Sequence, residues 1–92
     1  MRDYDALLAQ GDNYLEWAQE EETRYADARF AYASIIDYYG EKDEVLLRML
    51  RYFIRTDKFD ETRTLKAYLD DKGSMRVDPD LHASVLAELA GF

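Results

Sequence analysis

The segment from Asp43 to Gly73, DEVLLRMLRYFIRTDKFDETRTLKAYLDDKG, constrains the fold most. It reads as two antiparallel helices joined at Arg55-Thr56-Asp57-Lys58. Leu46, Met49, Leu50, Phe53 and Ile54 recur at helical spacing and predict a buried stripe, with Glu44, Arg48, Arg51 and Arg55 on the other side. Asp57 is placed to cap the second helix, which carries Phe59, Leu65, Tyr68 and Leu69, and Gly73 closes it. Neither half can bury its apolar face alone, so the segment needs helical neighbours.

The flanking chain supplies them. With one proline, four glycines and no sustained two-residue alternation, it predicts an all-α fold of about five helices. The first starts near Asp3 or Asp5 and carries Tyr4, Leu7, Leu8, Gly11, Tyr14, Leu15 and Ala18 on one stripe. From Asp12 to Tyr39 there is neither glycine nor proline. A break is expected at Glu20–Thr23, because three successive acids suit the start of a helix better than the end of one, and Thr23 is an acceptable cap. The second helix carries Tyr25, Ala28, Tyr32, Ile35, Ile36 and Tyr39, and Gly40 is expected to end it as a left-handed C-terminal residue. After a loop at Ser74–Val77, Asp78-Pro79 pairs a cap with a first-turn proline and opens a fifth helix with Leu81, Val85, Leu86 and Leu89.

An internal period lies near 34 residues. Tyr25 and Phe59, Ala28 and Thr62, Arg29 and Arg63, and Ile35 and Leu69 are each 34 apart, while Gly40 and Gly73 are 33 apart. The pattern resembles the tetratricopeptide repeat. Tyr25-Ala26-Asp27-Ala28 and Phe59-Asp60-Glu61-Thr62 stand where that family opens its second helix. Leu7, Gly11 and Tyr14 match its first helix, and Leu46, Leu50 and Phe53 match it loosely. The departures are about five extra residues between Gly11 and Ala28, Thr62 for alanine, Leu50 for glycine and Lys66 for a bulky apolar residue. The resemblance implies one tetratricopeptide-like domain over residues 1–92, with units at about 3–40 and 43–73 and a terminal or truncated helix at 78–92.

Composition narrows the function classes. Twenty acids against twelve Lys and Arg give a net charge of −8, which disfavours nucleic-acid partners. Residues 1–41 hold net −7 and residues 42–76 net +2. An acidic nucleic-acid mimic is thus a weaker alternative. Nothing predicts a membrane span or a leader, so the default location is cytoplasmic. There is no cysteine, and the one histidine, His82, lacks ligand-type neighbours at helical spacing and reads as a solvent-facing residue. No catalytic, metal or cofactor site is expected, and the chain is not read as an enzyme.

The expected function is binding a partner protein or peptide. In the family it resembles, the first helices of the units line the concave groove, which here are the first, third and fifth. That implies Asp12, Glu16, Leu47, Arg48, Arg51, Ile54, Arg55 and Val85 as contact residues. The arginines either hold acidic groups of a partner or pair internally with Asp12 and Glu16. The family's carboxylate clamp is not implied, because Leu47 and Arg51 replace its lysine and asparagine. Trp17 and Tyr52, off their stripes, are further surface candidates. The repeating Tyr25, Tyr32 and Tyr39 read more readily as packing than as a peptide groove. Self-assembly through Leu86, Leu89 and Phe92 is the alternative.

Overall fold

A computed structural model describes residues 3–73 and 78–92. The helices are α1 (Tyr4–Trp17), α2 (Arg24–Tyr39), α3 (Asp43–Arg55), α4 (Phe59–Lys72) and α5 (Pro79–Ala90), with no strand among the described residues. The fold is all-α. The expected loop at Ser74–Val77 lies outside the described residues.

Most boundaries follow from local chemistry. The Asp3 carboxylate accepts the Asp5 amide at 3.1 Å, and the Asp78 carboxylate accepts the Leu81 amide at 3.1 Å ahead of Pro79. The 12–39 stretch does break, between Trp17 and Arg24. Thr23 makes no side-chain cap there. Instead Arg24 lies with its guanidinium carbon 4.0 Å from the centre of the Trp17 ring, and the same side chain reaches Glu21 and Asp27.

Two expectations about turns need correcting. Asp57 does not cap α4. Lys58 occupies the cap, and Asp57 is the one non-glycine residue with positive φ (57°) among the described residues, a conformation that aspartate tolerates better than most. Gly40 ends α2, but at φ 88° and ψ 179°, a region open essentially to glycine alone and distinct from the left-handed helical form that Gly73 adopts.

The core is arranged around α3, which packs against α1, α2, α4 and α5. One cluster joins Leu46, Leu47, Leu50 and Ile54 to Leu69 of α4 and to Leu81 and Val85 of α5. Another joins Val45 and Tyr52 to Leu7 and Leu15 of α1 and to Ala28, Tyr32 and Ile35 of α2. A helix covered on so many sides cannot show a single apolar stripe. Val45, Leu47 and Tyr52 are therefore buried, while Met49 and Phe53, expected in the core, are only half-buried.

Thr62 of α4 is 2% exposed, and its hydroxyl has no hydrogen-bond partner among the described residues. An unmade buried hydrogen bond costs about 1–3 kcal/mol, so replacement by a residue of the same shape without the hydroxyl should raise stability. Thr62→Val is expected to raise the urea midpoint, with a gain of about 1 kcal/mol. An unchanged or lower midpoint would contradict an unsatisfied hydroxyl.

Candidate functional site

The face built from α1, α3 and α5 is closed by its own charges. The Asp12 carboxylate accepts Arg48 Nε at 2.8 and 3.0 Å and the Tyr32 hydroxyl at 2.5 Å, while Arg48 Nη1 donates to the Glu44 carbonyl at 2.9 Å. Arg55 donates to both oxygens of Glu88, at 2.7 and 3.3 Å. Arg51 Nε lies 2.9 Å from Glu88 without the alignment of a hydrogen bond, and its Nη2 donates to the Ser84 hydroxyl. The three arginine side chains are 15–19% exposed, Glu88 25% and Asp12 42%. Burial foremost, and then the Asp12 carboxylate, push the Tyr32 pKa well above the ordinary tyrosine value, so the hydroxyl stays a donor. Burial and Glu44 do the same to Tyr4, which donates to that carboxylate.

This arrangement corrects the expected site. Asp12 meets Arg48 rather than Arg51 or Arg55, whose carboxylate is Glu88 of α5. Glu16 is exposed and receives Gln19 Nε2. Leu47 and Val85 are fully buried and Ile54 is 7% exposed, so all three hold the core together and none lines an open groove. Tyr52, also 7% exposed, packs edge-on against Tyr25 rather than facing solvent. Trp17 is surface-exposed, stacked on Tyr14 and covered by Arg24. Tyr32 is buried and Tyr39 stands edge-on to Tyr4, so these tyrosines pack. Leu89 packs on the core, while Leu86 is exposed and Phe92 rests against the Phe59 ring at 4.7 Å.

The open apolar surface lies on a different side of α3. There α2 and α4 flank α3 without approaching one another, and a groove of about 660 Å³ runs between them. Its floor is Leu46, Met49 and Phe53. Ile36 and Glu41 form one side, and Asp60, Glu61, Thr64, Leu65 and Tyr68 form the other. Tyr68 is 44% exposed despite its place on the apolar stripe of α4. Three carboxylates, Glu41, Asp60 and Glu61, line the groove, and among the described residues no Lys or Arg does.

The groove was not readable from periodicity, because Met49, Phe53, Leu65 and Tyr68 look like core residues. The sequence carries no signal that separates them: Leu65, Tyr68 and Leu69, at i, i+3 and i+4, span about 100° of α4, the ordinary stripe that a single neighbouring helix covers. Among the described residues no group of three or more His, Asp or Glu could hold a metal ion, and no helix is long and apolar enough to cross a membrane. Comparison with family models, curated proteins and solved structures finds no match.

Proposed function

We propose that this chain is a protein-interaction module of tetratricopeptide-like character that receives the apolar face of a partner helix in the α2–α3–α4 groove. The observation that supports the reading is the groove itself: about 660 Å³, floored by Leu46, Met49 and Phe53 and left open because α2 and α4 stay apart. That volume is within the range of about 300–1,000 Å³ typical of ligand sites. Its apolar floor, Leu46, Met49 and Phe53 of one helix between two others, suits side chains presented at i, i+3, i+4 and i+7 by a partner helix. The α1–α3–α5 face is a poorer site, because an incoming anion would have to displace Asp12 or Glu88 from arginines already satisfied.

The test is an NMR titration with a synthetic amphipathic helix of about 18 residues that has a leucine face and an uncharged glutamine face. Saturable shifts at the Met49 methyl, the Leu65 methyls and the Phe53 ring are expected, and Tyr68→Glu should reduce affinity at least about tenfold by placing a charge against the apolar guest. Shifts spread over the molecule, or none, would overturn the reading.

A further inference from the structure

We infer that the occupant of this groove is a basic amphipathic helix, one with Lys or Arg flanking its apolar face. The inference rests on the groove reading above and adds the partner's charge. Glu41 stands at one side of the groove, and Asp60 and Glu61 stand at the other, so a helix lying along the floor passes between carboxylates on both flanks. Among the described residues no cation lines the groove to neutralise them. Two lysines of α4 are already engaged: Lys72 sits 5.0 Å from the Tyr68 ring centre and is tied to Asp43 at 3.2 Å, and Lys66 is paired with Asp70 at 2.6 Å. By contrast the arginines of α3 face α1 and α5 and are consumed there by Asp12 and Glu88.

Segregation of charge by face is therefore a property of α3's surroundings, and among the described residues the charged groups lining the groove are all carboxylates. A basic helix gains on both flanks at once, and an acidic helix with the same apolar face is repelled on both. The floor suits a range of such helices, since Met49 is flexible and polarisable and adapts to different apolar side chains. Asp60 and Glu61 also complement the dipole at the start of α4, so the test replaces them with their amides, which keep size and one accepting oxygen while removing the charge.

The experiment compares three synthetic helices that share one leucine face and carry lysine, glutamine or glutamate on the polar face. Each is titrated into the full chain at low salt, with the groove resonances as readout. The lysine helix is expected to bind about tenfold tighter than the glutamine helix, and the glutamate helix weaker than either. The lysine advantage should largely vanish at about 0.5 M salt. It should also vanish in the triple variant Glu41→Gln, Asp60→Asn, Glu61→Gln, and persist in Glu16→Gln, Glu20→Gln, Glu22→Gln, which changes net charge equally away from the groove. Equal affinity for the three helices, or an equal loss in both triple variants, would overturn the basic-partner inference and leave the groove reading standing. If no helix shifts the groove resonances, the groove reading itself falls, and this inference with it. Circular dichroism confirms that both triple variants remain folded.

Discussion

Gly11→Ala is expected to destabilise the fold by about 2–3 kcal/mol, although alanine favours a helix over glycine by about 1 kcal/mol. A methyl group at Gly11 would lie 2.5 Å from Cε1 and 2.8 Å from Cδ1 of the Tyr32 ring. The ring cannot simply move aside. It is fully buried, and its hydroxyl is held by Asp12, which is held in turn by Arg48. Relief must come from separating α1 and α2 or from breaking that chain of hydrogen bonds. For 92 residues, total stability is about 5–14 kcal/mol, so the loss is a substantial fraction. Urea denaturation measures it. The double variant Gly11→Ala, Tyr32→Leu should lose less than the sum of the two single changes, by at least about 1 kcal/mol, because the shared clash is then gone. A Gly11→Ala protein more stable than the parent would show that propensity outweighs the close approach.

Leu47→Ala should cost about 3 kcal/mol, within the range of about 2–5 kcal/mol for emptying a fully buried leucine site. Leu47 belongs to the cluster that fastens α4 and α5 to α3, and no part of it reaches the surface. Where the variant is still folded, its affinity for an amphipathic helix should be unchanged. Met49→Ala, two residues on, should show the reverse: a stability loss below about 1.5 kcal/mol and weaker helix binding, because Met49 is half-buried on the groove floor. Thermal or urea unfolding beside the NMR titration separates the two. If Leu47→Ala weakened binding without lowering stability, the assignment of Leu47 to the core would be wrong.

The contrast between these neighbours shows where sequence reasoning succeeds and where it stops. Helix identity is local, so it was legible: Asp3, Gly40, Gly73 and Asp78-Pro79 punctuate the chain through their own backbone and side-chain chemistry. The close approach at Gly11 was legible for the same reason, since a mid-helix glycine is costly unless something needs the space. The partners of the arginines were not. Whether Asp12 meets Arg48 or Arg51 depends on the rotation and crossing of α1 over α3, which a repeat period does not set to within one turn. Glu88 lies 33 residues beyond Arg55, on a helix whose charges no alignment of the first and third helices brings into view. The groove was hidden for a further reason. An apolar residue facing a gap and one facing a neighbour have the same spacing, and only the separation of α2 and α4 tells them apart.

That separation has a mechanical consequence. Among the described residues, α4 packs along α3 and along no other helix, with Leu69 as its one fully buried large side chain. It is pinned near its ends, by Phe59 against Phe92 and by Lys72 to Asp43. The α2 side, by contrast, is braced by both α1 and α3. The two walls of the groove thus differ in support: α2 is backed by two helices and α4 by one. On the proposed reading, a guest that displaces α4 gives up α3–α4 contacts and the Phe59–Phe92 contact, and leaves the Tyr32–Asp12–Arg48 hydrogen bonds untouched.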